Sequence, residues 1–364
     1  MSVASSNGAH RVAELDGLRA FAVLAVVVYH VLIPANVLQG GAPWLRTLIR
    51  VSGESGVNVF FVISGYIITS LLMREHAASP SPSLRPFYIR RFCRIVPPFA
   101  VYLAALVLLR AYGLIAVSSS NLLWSALFLG DTNLLNPDGW WFVAHSWSLA
   151  VEEQFYLIFP PLLWLAFRFA RNVRRTLLVS LGLAFAFCVV ASGVARIFAW
   201  QWGKPWENLI QLNHFRFIIV GVLVATHGDW LLARLKKTSR WLPAIAAALI
   251  LLSHLADPLP TVLSAVRMVV DPVLFVCLVM WFMQNPDRCA PLRWRVVQWL
   301  GLCSYSIYLW QQLFDGPPDA YTVMQPFRAD VMLGAILACS AASHYLVERP
   351  WIALGRRLSK KFAR

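Results

Sequence analysis

Runs of about 20 apolar residues recur along this chain, the length an α-helix needs to cross the hydrocarbon core of a bilayer. Lipid satisfies no backbone N–H or C=O, so segments of this kind must close their hydrogen bonds internally, as helices. Of 364 residues, 59% are hydrophobic and 13% are charged, with a mean hydropathy of +0.62. A soluble domain carries roughly 25% charged residues. Ten spans are expected, near residues 20–38, 56–73, 95–117, 146–167, 176–198, 215–233, 241–255, 268–284, 296–314 and 330–347. The fold class that follows is an all-α integral membrane protein of about ten transmembrane helices. A polar tail, residues 1–13, precedes one membrane domain, residues 14–351, and a basic tail, residues 352–364, follows it.

The net charge is +15. In a soluble protein that would suggest a nucleic-acid partner, but here the charge follows topology. With the N-terminus inside, most of the 32 Lys and Arg residues fall in inside segments, so the positive-inside rule sets both termini in the cytoplasm. No nucleic-acid partner is expected; membrane lipid is, and part of the basic excess can also meet anionic lipid or a cytosolic anion. The six cysteines avoid the expected outside loops and show no metal-ligand spacing, which argues against structural disulfides and a bound metal. No removable signal peptide is read before the first span. The clearest linker is the Ser/Pro-rich stretch 74–87, and no internal repeat is visible.

Polar residues inside spans carry the chemistry. From Ala20 to Val31 the only residue that is neither apolar nor Tyr is His30. Arg19 lies eleven positions earlier, about 1100° of helix or roughly 20° past three full turns, so the two share a face about 16 Å apart. With Arg19 at the inner boundary, His30 falls near the middle of the hydrocarbon, where a polar group needs a partner, water or a function. Helix packing is the other reading of the same histidine. In "HSWSLAVEEQFYLIFP", residues 145–160, Glu152 and Glu153 lie about two turns into a span. One of them could hold the tautomer of His30, or pair with Arg19 to tie helices together. In "FYIRRFCRIVPPF", residues 87–99, Arg90, Arg91 and Arg94 have the spacing of one helix surface. Arginine forks suit phosphate oxygens; basic anchoring at the inner boundary is the alternative.

Weaker signals surround these. Gly56, Ser64 and Gly65 permit close helix approach or room for a ligand. Trp44, Trp140, Trp141, Trp147, Trp200, Trp202 and Trp206 gather at expected outer boundaries, as an interfacial belt or as platforms for sugar rings. His145 and His214 lie near outer helix ends, within reach of an acceptor or of interfacial hydrogen bonds. In "HYLVERPW", residues 344–351, Pro350 is expected to stop the last helix.

"LDGLRAFAVLAVVVYH", "GVNVFFVISGYIITSLL", "YIRRFCRIVPPF", "HSWSLAVEEQFYLIFP", "SYSIYLWQQ" and "ERPW", in this order from residue 14 to 351, together resemble the bacterial membrane acyltransferase family 3. Its members O-acylate, most often O-acetylate, surface polysaccharides, lipopolysaccharide, Nod factors or macrolides. The resemblance implies that Arg19 and His30 occupy the family's Arg-x10-His pattern, with the histidine essential. It implies a role for Glu152 in the acidic motif, and for Arg90, Arg91 and Arg94 in binding cytosolic acetyl-CoA, the implied donor. The family often has histidine where this chain has Gln311, and an amide cannot act as a base. Some members carry an extra soluble esterase-like domain, which is not seen here.

The expectation is an inner-membrane O-acyltransferase acting on a glycan or glycoconjugate. His30, oriented by Glu152, would serve as base or acyl acceptor; Arg19, with Asp16, would hold the donor. A transporter or flippase would use the same buried charges for coupling, without covalent chemistry.

Overall fold

The computed structural model describes residues 13–32, 43–78, 83–131, 141–202, 211–255, 261–316, 321 and 329–362. The helices in chain order are α1 (Ala13–Leu32), α2 (Pro43–Ala78), α3 (Arg85–Ala111), α4 (Ser119–Ala126), α5 (Trp141–Ala144), α6 (Ser146–Phe169), α7 (Val173–Trp202), α8 (Phe215–His227), α9 (Asp229–Leu235), α10 (Leu242–Leu255), α11 (Thr261–Gln284), α12 (Arg295–Phe314), α13 (Ala329–Ser343) and α14 (Arg349–Lys361). Among the described residues there is no strand, only one isolated bridge between Ile115 and Tyr321. A helix stands at each of the ten places the hydropathy marks. Six are long and apolar enough to cross a membrane, and a seventh counts if α8 and α9 form one span.

Two expectations are corrected. Residues 215–233 do not make one straight helix: α8 ends at His227, Gly228 donates its N–H to Val224, and the chain bends by 94° into α9. Pro350 does not stop the last helix either. A π-turn at His344–Glu348 joins α13 to α14, and Pro350 sits in the first turn beyond it. The wider turn changes the hydrogen-bond register ahead of the proline, and at a first-turn position its missing N–H costs little.

α1 is the axis, packed between α2 and α12. A Cβ on Gly56 of α2 would strike the Ala22 carbonyl of α1, and one on Gly301 of α12 would strike the backbone of Asp16. Without a hydrophobic drive between helices in lipid, such close backbone approach is what holds them together. The crossing of α2 and α8 is built likewise: Gly65 lies on the Ile218 carbonyl and Gly221 on the Val62 carbonyl. Ser64, about 100° around the helix from Gly65, is thereby turned toward α6.

The two ends of the bundle differ in charge. Around the start of α1, Arg293 pairs with Glu14 at 2.5 Å, Arg288 donates to the Thr238 carbonyl, and His227 meets the carbonyl of Arg174. These contacts gather the basic connections 168–175, 234–240 and 286–295 at one end, called here the Arg19 end. The other is the His30 end, since His30 lies in the last turn of α1.

Gly65→Leu and Gly221→Leu should each destabilise the fold by about 1–3 kcal/mol, the usual cost of overpacking, lowering the thermal midpoint in detergent. Gly182→Leu, whose Cβ would meet nothing within 4 Å, should leave that midpoint in place.

Candidate active site

α1 presents Arg19 and His30 on one face, as the helical spacing requires, and each lines a cavity. The cavity at the Arg19 end measures about 100 Å³. Arg19 meets Arg91 and Arg94 of α3 there, with Ser64 of α2, Ser148, Glu152 and Tyr156 of α6, and Ser304, Tyr305 and Tyr308 of α12. Arg91 lies over the Tyr156 ring at 4.7 Å and Arg19 over Phe60 at 5.8 Å. Glu152 accepts from the hydroxyls of Ser64 and Tyr156, and its charge acts on both Arg19 and Arg91. Three guanidiniums against one carboxylate leave the cavity with a positive excess, suited to a polyanion.

The helices that form this cavity are tied by tyrosine hydroxyls, one of them on a carbonyl that a proline releases. Pro161 has no N–H for the carbonyl of Leu157, four residues back. The Tyr88 hydroxyl of α3 donates to that carbonyl at 3.2 Å, tying α3 to α6 one turn from Arg91. From the other side, the Tyr305 hydroxyl donates to Ile95 of α3 at 2.7 Å.

The cavity at the His30 end measures about 360 Å³ and takes Tyr29 and His30 from α1, Glu54 from α2, Trp141 from α5, His145 at the start of α6, Trp147 from α6, and Tyr308 and Gln312 from α12. The carboxylate facing His30 is Asp315, completely buried just past α12, with Oδ2 3.8 Å from His30 Nδ1. At that separation the two groups face each other without a direct hydrogen bond. The turn holding Asp315 is closed by the Tyr321 hydroxyl, which donates to the Leu313 carbonyl and accepts from the Gly316 N–H.

The two cavities share Val57 and Tyr308. The Tyr308 hydroxyl shares a 2.6 Å hydrogen bond with Ser148 and reaches the carbonyl of His145 at 3.2 Å. This side chain and Val57 form the wall between them.

The expected site is thus brought together in part. Arg19, Arg91, Arg94 and Glu152 share one cavity. Glu152 does not orient His30: it is committed to Ser64 and Tyr156, and Asp315 takes the place expected for it. Arg90 turns out of the cavity and pairs with Glu75 of α2 at 2.5 Å. Asp16 lies one turn before Arg19, near enough for its charge to act on the guanidinium, and lines neither cavity. Gln311 is completely buried beside His30. Gly56 and Gly65 serve packing, whereas Ser64 lines the arginine cavity. Of the tryptophans, Trp141 and Trp147 line the His30 cavity and Trp44 is exposed; Trp140 and Trp206, and the side chains of Trp200 and Trp202, lie outside the described residues. Asp315 is the residue sequence reasoning missed, and its one signal was an acid three residues after the motif "SYSIYLWQQ".

Comparison with known proteins places the chain in a family. The profile of a family described as an acyltransferase domain matches residues 12–341. The provisionally named peptidoglycan O-acetyltransferase YrhL of Bacillus subtilis is 27% identical over 92% of this chain and 54% of its own length. The peptidoglycan O-acetyltransferase OatA of Listeria monocytogenes is 31% identical over 49% of this chain and 28% of its own length. The O-acetyltransferase OatA of Staphylococcus aureus is 33% identical over 50% of this chain and 31% of its own length. The chain therefore spans about half the length of YrhL and less than a third of either OatA protein. No solved structure matches. A profile that covers the chain from residue 12 to 341 takes in every helix that lines the two cavities, and the chain belongs to the membrane acyltransferase family 3.

Proposed function

We propose that this protein is an integral membrane O-acetyltransferase. It takes an acetyl group from acetyl-CoA at the Arg19 end and passes it to a glycan hydroxyl at the His30 end. The observation that carries this reading is the pair of unlike cavities on one face of α1, one cationic and one holding an imidazole–carboxylate pair, separated by a single tyrosine. The phosphates of the donor suit Arg19, Arg91 and Arg94, and the thioester arm would extend along α1 past Tyr308. His30, with Asp315 facing Nδ1, accepts the hydroxyl proton at Nε2. The acceptor oxygen bonds to the acetyl carbon, the carbon–sulfur bond breaks, and the proton ends on the CoA sulfur. The balance is the same whether transfer is direct or passes through an acetyl-His30 intermediate. The names of the relatives favour peptidoglycan as the glycan. By the positive-inside rule the Arg19 end faces the cytoplasm, which places the donor there and the acceptor outside a bacterial inner membrane.

In liposomes given radiolabelled acetyl-CoA, His30→Ala should lower CoA release by about 100-fold or more, the range of a lost general base. Label on His30 of the wild type would select the two-step route. If no CoA is released by wild type with any glycan, while an unmodified glycan crosses the liposome, the protein is a transporter.

Asp315→Asn should cost about 10- to 100-fold in kcat with little change in KM for acetyl-CoA, the behaviour of a group acting through another. Equal kcat in the variant and wild type would remove Asp315 from the mechanism.

The two sides of α3 give a third test. Arg94→Ala should raise KM for acetyl-CoA by about tenfold, the worth of one lost charge-assisted contact. Arg90→Ala, which loses only the pair with Glu75, should leave that KM within about twofold.

A further inference from the structure

His145, at the His30 end, is a side chain that is held in place yet uses neither of its polar atoms. It is 3% exposed, and neither ring nitrogen has a hydrogen-bond partner. Its setting is otherwise fully determined. The residue occupies the junction of α5 and α6, where its carbonyl lies within hydrogen-bond reach of the Ser148 hydroxyl, at 3.1 Å, and the Tyr308 hydroxyl, at 3.2 Å, which also contact each other. Its ring is met edge-on by Tyr102 at 5.3 Å and Tyr308 at 5.6 Å. Tyr102 is fixed in turn, donating to the Phe142 carbonyl of α5 at 2.6 Å.

Burying an imidazole with both nitrogens idle costs what an unmade hydrogen bond costs, roughly 1–3 kcal/mol, and most native proteins avoid it. A packing role does not call for it, since a phenyl ring would fill the same slot between two tyrosines. His145 lines the same cavity as His30, alongside Trp141 and Trp147. That cavity offers apolar ring faces and few polar groups, the composition that receives a carbohydrate.

Resting on the acetyl-transfer reading above, we propose that His145 is a positioning residue that hydrogen-bonds an oxygen of the acceptor sugar and sets the reacting hydroxyl against His30. Its missing partner is then a ligand hydroxyl, which can both donate and accept and so satisfies either tautomer of the ring. A pocket in which His145 waits for a sugar oxygen also discriminates against alcohols without a second oxygen, because binding them leaves His145 unpaired.

The test uses the full chain in liposomes, with a chitooligosaccharide as acceptor probe. His145→Phe keeps the aromatic packing and removes the N–H; His145→Gln keeps a donor and an acceptor. His145→Phe should raise KM for the chitooligosaccharide by about tenfold, the worth of one lost hydrogen bond to a neutral partner, and move KM for acetyl-CoA by less than twofold. His145→Gln should recover at least part of that loss, a rescue that packing alone would not give. Isothermal titration of the same sugar, without donor, should show the same order of affinity. That measurement stands even if no acetyl transfer is found, so the two readings fail separately. The proposal is overturned if His145→Phe and wild type bind the sugar equally, if wild type does not bind it, or if the loss appears in KM for acetyl-CoA. Should His145→Phe fail to fold, a His145→Gln variant weaker than His145→Ala overturns it as well.

Discussion

Hydrocarbon offers no partner to a polar group, and α1 must carry two of them on a face that the bilayer would otherwise cover. Everything around this helix answers that requirement. α2 and α12 close on it through Gly56 and Gly301, and Arg19 and His30 each line a cavity among the helices. α3 and α6 then bring charge and hydroxyls to the first, and the turn after α12 brings a carboxylate to the second. Because the intervals along α1 are fixed by helix geometry, the two cavities cannot drift relative to one another without breaking the helix that joins them.

The same constraint explains what the sequence made legible. Helical periodicity reports which residues of one helix share a face, so Arg19 and His30 could be placed together before any neighbour was known. It is silent on which helix stands opposite. Glu152 was therefore assigned to His30 on chemical grounds, although Ser64 and Tyr156 take up its carboxylate. The separation of Arg90 from Arg91 and Arg94 was hidden for the same reason: Glu75, which draws Arg90 away, lies on α2 across a linker. Asp315 looked like an ordinary polar residue at a helix end. It lies in a turn that the Tyr321 hydroxyl closes from a few residues further along, a contact that helical periodicity does not encode.

Proline and glycine show how far local rules reach in a bundle of this kind. Gly228 ends α8 as capping chemistry leads one to expect, but the 94° bend that follows turns one apolar run into two helices. Pro350 reads as a terminator, yet the helix passes through it because the π-turn at His344–Glu348 has already shifted the hydrogen-bond register. Pro161 weakens α6 locally, and the carbonyl it leaves behind becomes the anchor for Tyr88. In each case the neighbouring structure, not the residue type alone, sets the outcome.

Tyr308 has a further meaning for the cell that houses such a protein. A route long enough to carry an acetyl group between the two faces of a membrane is also long enough to leak ions. Here the route is interrupted: the hydroxyl of Tyr308 is spent on Ser148 and the carbonyl of His145, and Val57 fills the remaining side. On the acetyl-transfer reading, this shared wall is what would keep such a route shut to ions while no substrate fills it, the condition for a membrane to hold its gradient.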